Sequence, residues 1–334
     1  MFGLARNTRP TPADFASCSG CNLCLLVCPV WRRTNDFALT PHGRAKALQF
    51  GASAADIAES IQSCTLCAAC EPVCPEEIPL VALSMQLRGQ LPQAAAIQDL
   101  RARMQAQAGR APSAQPGSMR ALLPGQALRE RPGTLGRAAA LLGGADNIRV
   151  AEDDGADIAL ALEAGCAIPA QRMEPFLRPL RGLKQIVVAE GLLLRQLCAL
   201  LPESTLIGLG EALSRIAAVR GALRATDLYL IEPRAYHADY QRLVRYYDSL
   251  RASAGCAFNL DLQRIAIPAT ARSLPQRLGL EAIDDSVQLR WILQDRNIKR
   301  IVVESMEDRV AFEQVSALPV VHLADLADDG TASQ

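Results

Sequence analysis

The stretch CSGCNLCLLVCP at residues 18–29 returns in outline as CTLCAACEPVCP at residues 64–75. Each copy spaces its cysteines as C-x2-C-x2-C-x3-C-P. This gives Cys18, Cys21, Cys24 and Cys28 before Pro29, then Cys64, Cys67, Cys70 and Cys74 before Pro75. Two-residue gaps let one tight loop wrap around a compact object and present three thiolates to it. The fourth cysteine lies one step further round, and the proline after it stops the chain curling back, so this thiol reaches for a neighbouring object. Eight of the eleven cysteines stand in these two frames. The opening MFGLARNTRPTPADF has no apolar stretch and no small-residue cleavage site, so no signal peptide is expected. In a reducing cytoplasm, clustered thiols serve as metal ligands more often than as a disulfide framework.

The frame resembles the cysteine run of bacterial two-cluster ferredoxins, where the fourth cysteine of each run ligates the other run's [4Fe-4S] cluster. That resemblance assigns cluster 1 to Cys18, Cys21, Cys24 and Cys74, and cluster 2 to Cys64, Cys67, Cys70 and Cys28. The competing ligand is zinc. Structural zinc sites pair two CxxC knuckles across a longer spacer, one ion for each pair. Three evenly spaced cysteines and a Cys-Pro, written twice, match a cubane better.

Formal charge is zero and the pI is near 6.8, so nothing electrostatic points to nucleic acid or an anionic membrane surface. No window approaches 18 uninterrupted apolar residues, so no membrane-spanning helix is expected. The protein reads as cytoplasmic, reaching the inner face of a membrane only through a partner. Half of its 334 residues are hydrophobic, enough for more than one core.

Residues 1–90 hold both frames and read as all-helical. TPHGRAKALQF supplies a helix after Pro41, SAADIAESIQS one capped by Ser53, and IPLVALSMQLRGQL a third. Residues 91–150, rich in Ala, Gln, Arg, Gly and Pro, read as a helix over about 93–108 and then an extended connector. From about 151 to 328 short apolar runs recur: DIALAL, QIVVAE, DLYLIE, RIAIP, RIVVE and LPVVHL. Helical periodicity separates them, as in LLLRQLCALL, EALSRIAAV, YQRLVRYYDSLRA and VQLRWILQD. Such alternation predicts a parallel sheet covered by helices. Residues 329–334 read as a flexible tail. Cys166, Cys198 and Cys256 stand alone among apolar or small residues and read as core packing. His42, His237 and His322 read as structural. No nucleophile elbow, P-loop or GxGxxG is present, and no catalytic residue is assigned.

With its helical spacer carrying TPHGRAKAL, the two-cluster frame resembles the iron–sulfur subunits of glycolate oxidase and of anaerobic glycerol-3-phosphate dehydrogenase. It also resembles the two-cluster, ferredoxin-type subunit of heterodisulfide reductase. The resemblance spans residues 12–90 and implies an alpha-helical ferredoxin domain. Residues 155–328 are similar to a faded pair of cysteine-rich repeats, those of the catalytic subunit of heterodisulfide reductase. The first would end in GLKQIVVAEGLLLRQLCALL and IGLGEALSRI, and the second would start at Tyr236-His237-Ala238-Asp239. The Cys-Cys-Gly signature of that family is missing. Tyr240 stands near the place of one repeat cysteine, Glu304 to Asp308 replaces the cysteine pair, and Cys166 is the one candidate survivor.

The resemblance implies an electron-transfer subunit with two [4Fe-4S] clusters, fed by a flavoprotein dehydrogenase or electron-transferring flavoprotein. Its acceptor would be a quinone-linked or other redox partner. Two alternatives stand beside this reading. One is a heterodisulfide-reductase-like catalytic subunit acting on a disulfide or thiol, and the other is an iron–sulfur scaffold or sensor.

Overall fold

The computed structural model describes residues 14–92, 95–107, 118–261 and 264–329. Among the described residues, 14–92 form helices and turns without a strand: Leu23–Val27, Pro29–Thr34, Pro41–Gln49, Ala58–Ser63 and Leu80–Gln90. Pro29 and Pro41 open their helices, where the missing N–H costs nothing. Thr40 caps the second of these, its Oγ1 accepting from the Gly43 N–H at 3.1 Å. Ser53 does not cap a helix as expected. Its N–H and hydroxyl both bind Asp56 and close a turn, and the helix starts only at Ala58.

The stretch after residue 118, read as connector, carries regular structure. It holds β1 (Arg120–Leu123), helix Pro132–Leu141 and β2 (Arg149–Val150). These join β3 (Gln185–Val188) and β4 (Thr205–Gly208) in a parallel sheet of order β2-β1-β3-β4. The second sheet contains β5 (Asp227–Leu230), β6 (Ala257–Phe258), β7 (Arg300–Val303) and β8 (Val320–His322), in the order β6-β5-β7-β8. Every pairing between these strands is parallel. Two of the predicted strands are not strands. DIALAL forms helix Ala156–Glu163, and the RIAIP stretch makes one isolated bridge, Leu260 to Ala266.

Register aligns Leu123, Val188 and Gly208 across one sheet and Leu230, Val303 and His322 across the other. The carboxyl ends of β1, β3 and β4, and of β5, β7 and β8, therefore finish level. One core joins the sheets: Leu122 and Val187 from the first share it with Tyr229 and Val302 from the second. Helix Leu80–Gln90 crosses the loop after Ala156–Glu163 at a backbone-to-backbone contact. A Cβ on Gly165, which has φ +69°, would lie 2.3 Å from the Met85 carbonyl oxygen. Glycine alone permits this approach.

Candidate metal centre

The two cysteine loops fold alike. Positive φ occurs at Gly20 and Asn22 in the first and at Leu66 and Ala68 in the second, the same two places in each frame. Alternating handedness of this kind turns the backbone inward, so that successive amides and side chains converge on one side. Gly and Asn take up such angles readily, whereas Leu and Ala are strained there by roughly 1–2 kcal/mol each. Packing imposes it: Leu66 and Ala68 are buried with Val81 and Leu192.

Each loop lines a cavity together with the last cysteine of the other. Cys18, Cys21, Cys24 and Cys74 line one; Cys28, Cys64, Cys67 and Cys70 line the second. Helix Pro41–Gln49 runs between them, and Pro41 borders both. Among the described residues, no three His, Cys, Asp or Glu side chains close tightly enough to hold one ion. Thiols spread around a cavity suit a polynuclear cluster, in which each iron corner takes one thiolate, better than a single zinc.

The first set lies nearer solvent, with Cys21 exposed; in the second set Cys28 and Cys67 are buried. Burial, with Cys18, Cys21 and Cys74 as neighbours, pushes the Cys24 thiol up to about 11. Burial likewise raises Cys28 to about 11, Cys67 to about 12, and Cys70 well above its ordinary value. Cys64 goes the other way. Burial opposes its thiolate, but the adjacent Arg44 and Arg88 guanidiniums, with hydrogen bonds from the Leu66 amide and from Arg44, outweigh that effect. Protons on the remaining thiols would leave as metal binds, since the thiolate is the ligand.

The second set is held from outside by groups that sequence spacing does not reveal. Arg44 is 1% exposed and donates to the Ser60 carbonyl. Arg88, equally buried, donates to the carbonyls of Ile61 (3.2 Å), Glu163 (2.6 Å) and Cys64. From helix Pro233–Ala238, which follows β5, Arg234 donates to the Thr65 carbonyl at 2.7 Å, and His237 Nδ1 binds the Cys67 carbonyl at the same distance. Arg234 also grips both oxygens of Glu163, at 2.8 and 3.2 Å. Arg195 pairs with Glu71 beside Cys70. Carbonyl after carbonyl of the second loop is thus accounted for by a cation or imidazole from another part of the chain. His42 is buried on the edge of the first cavity.

Thr65 and Cys67 also border a larger cavity of about 280 Å3. It lies at the carboxyl ends of both sheets, against Pro124 after β1, Glu190 after β3, Glu232 after β5 and Glu304 after β7. In parallel α/β sheets this is where ligands bind. Of the three lone cysteines, none borders it. Cys166 and Cys256 are core residues, as expected. Cys198 is not. It lies on the exposed side of helix Gly191–Leu200, whose Leu192, Leu193, Leu194 and Leu197 face inward.

Residues 14–78 match the family model described as a 4Fe-4S dicluster domain. None of the curated proteins and none of the solved structures matches the chain. The chain is therefore an iron–sulfur protein, and no helix among its described residues is long and apolar enough to cross a membrane.

Proposed function

We propose that this chain is an electron-transfer subunit holding two [4Fe-4S] clusters. One is held by Cys18, Cys21, Cys24 and Cys74, the other by Cys28, Cys64, Cys67 and Cys70. A bound [4Fe-4S] cluster takes up and returns one electron at a time. A pair of them suits a two-electron flavoprotein donor, a dehydrogenase or an electron-transferring flavoprotein, passing electrons on to a quinone-linked or other redox acceptor. The observation that carries the reading is the crossed lining of the two cavities, each completed by the fourth cysteine of the opposite frame. The donor sets fit the group: four thiols each, with a buried Arg44 Nε at the second set that meets no partner in the chain.

The residues around the sets keep water out, fix the carbonyls and set the local charge. The matching strand orders of the two sheets support two degenerate repeats acting as a docking platform. The catalytic reading has one observation in its favour, the cavity beside Cys67. Among the described residues Cys67 is the one cysteine lining it, so a third thiolate-bound cluster has no ligand set there.

Anaerobic reconstitution followed by iron analysis and electron paramagnetic resonance tests the proposal. About eight irons per chain are expected. Cys28→Ser with Cys70→Ser should leave about four, because both thiols serve one cluster, whereas Cys24→Ser with Cys28→Ser should disrupt both. Loss of only one cluster in the Cys24→Ser, Cys28→Ser variant, or a colourless zinc protein, would refute it.

A further inference from the structure

Helix Pro41–Gln49 gives each thiol set one side chain, and the two side chains differ in charge. His42 borders the cavity of Cys18, Cys21, Cys24 and Cys74; Arg44 borders that of Cys28, Cys64, Cys67 and Cys70. Both are buried, and each keeps one buried nitrogen without a partner in the chain, Nδ1 of His42 and Nε of Arg44. Orphaned buried nitrogens are rare because they are costly. Here each sits at the edge of a cavity that would hold sulfide and thiolate sulfur, which accept hydrogen bonds. Such bonds, with nearby charge, set the reduction potential of a cluster.

A guanidinium brings a fixed positive charge. Arg44 donates to the Ser60 carbonyl and to the Cys64 sulfur, and Arg88 donates to the carbonyls of Ile61, Gln62, Glu163 and Cys64. Neither charge is cancelled by a directly bonded carboxylate. By contrast, Arg234 and Arg195, which also reach this set, are matched by Glu163 and Glu71. At the first set a nearby cation is Lys46, whose Nζ lies 3.3 Å from the Cys18 carbonyl. Lys46 is partly exposed, and Glu76 borders the same cavity. Water screens the lysine, whereas a guanidinium buried beside Cys64 acts through a low dielectric. Burial on its own would disfavour an added electron at the second set; the two arginines offset that cost.

Resting on the two-cluster reading above, we infer that Arg44 makes the Cys28, Cys64, Cys67 and Cys70 site the higher-potential one. An electron entering at the exposed Cys21 end then comes to rest at the buried site, beside the larger cavity. Arg44 is a positioning and tuning residue, not a catalytic one.

A potentiometric titration of the anaerobically reconstituted full chain, read by paramagnetic resonance, tests this. Adding a dysprosium chelate speeds the relaxation of the cluster nearer solvent. The first signal to appear on reduction should be the one that the chelate affects less. Arg44→Gln should move that couple to lower potential and leave the other in place, while Arg44→Lys should hold it near its original value. If the first cluster reduced is the chelate-sensitive one, or if Arg44→Gln moves only that one, the inference fails while the two-cluster reading stands. If Arg44→Gln does not assemble, the chelate comparison on the unmodified protein still decides. A protein with no cluster signal after dithionite would overturn the reading and the inference together.

Discussion

His237 Nδ1 binds the Cys67 carbonyl oxygen at 2.7 Å, joining two residues 170 positions apart. Burial pushes the imidazole down to about 4, so it is neutral at pH 7 and donates through Nδ1–H. The second cysteine loop is therefore tied to helix Pro233–Ala238, which follows β5. His237→Ala leaves a buried carbonyl without its donor, which costs about 1–3 kcal/mol. Urea unfolding of the metal-free chain measures it, and a variant with unchanged stability would show that the contact is dispensable.

Arg234 and Glu163 form a buried pair at 2.8 Å, and Arg277 also lies 2.9 Å from Glu163. Arg234→Ala strands the Thr65 carbonyl and weakens the compensation of the Glu163 charge. The expected loss is about 3 kcal/mol, at the low end for a broken buried pair because Arg277 remains. Combining Arg234→Met with Glu163→Gln should cost less than Arg234→Ala alone. A thermal-unfolding series in which the double variant is the worst would contradict this.

Glu304 accepts from the hydroxyls of Tyr229 and Tyr247, both at 2.6 Å, and from the Glu232 N–H at 2.9 Å. Gly210 makes room for it, since a Cβ there would fall 2.1 Å from Glu304 Cδ. Gly210→Ala should destabilise by about 1–3 kcal/mol through overpacking. Glu304→Ala orphans three donors and should cost at least as much. Because the two share one space, the cost of Gly210→Ala should shrink in the Glu304→Ala background. Strict additivity in a double-mutant cycle would rule out the shared origin.

His322 is fully buried, its Nε2–H donating to the Glu304 carbonyl at 3.0 Å and its Nδ1 accepting from the Ala324 N–H at 3.1 Å. Both nitrogens are used in the neutral form, and burial pushes the ring down from 6.5 to about 4. Between those values the unfolded chain binds the proton and the folded chain does not. Stability contributed here is complete above pH 6.5 and is lost as pH falls toward 4, up to about 3 kcal/mol. Carboxyls raised by burial, Glu304 and Asp308 at about 7, are common to both proteins in a comparison with His322→Gln. That variant should show a flatter dependence of the urea midpoint on pH over this window; an unchanged slope would disprove the assignment.

The cysteine frames could be read directly because their spacing alone decides which thiols share a loop. Gly20 and Asn22 even announce their backbone angles, whereas Leu66 and Ala68 do not, since tertiary packing forces theirs. DIALAL misled because a short apolar run has no distinguishing period. The Asp153 and Asp154 side chains accept from the amides of Gly155 and Ala156 and turn the chain just ahead of the helix. β1 lies inside a stretch whose Ala, Gly and Pro content reads as connector, and β4 offers only Leu206 and Ile207 between an exposed Thr205 and Gly208, too short an apolar run to stand out. Arg44, Arg88 and Arg234 were invisible as site residues. Each looks like any surface arginine until the fold brings a carbonyl from 16, 24 or 169 positions away.

The shared backbone crossing of Gly89 and Gly165 has a further consequence. With no room for even one methyl group at that crossing, the cysteine-bearing segment and the α/β body meet backbone to backbone. Excised alone, that segment would present the Thr65 and Cys67 carbonyls to water and lose the clamp that bends its second loop. In this molecule the second cysteine loop shares its hydrogen bonding with the body to which it is fused, through Arg234 and His237.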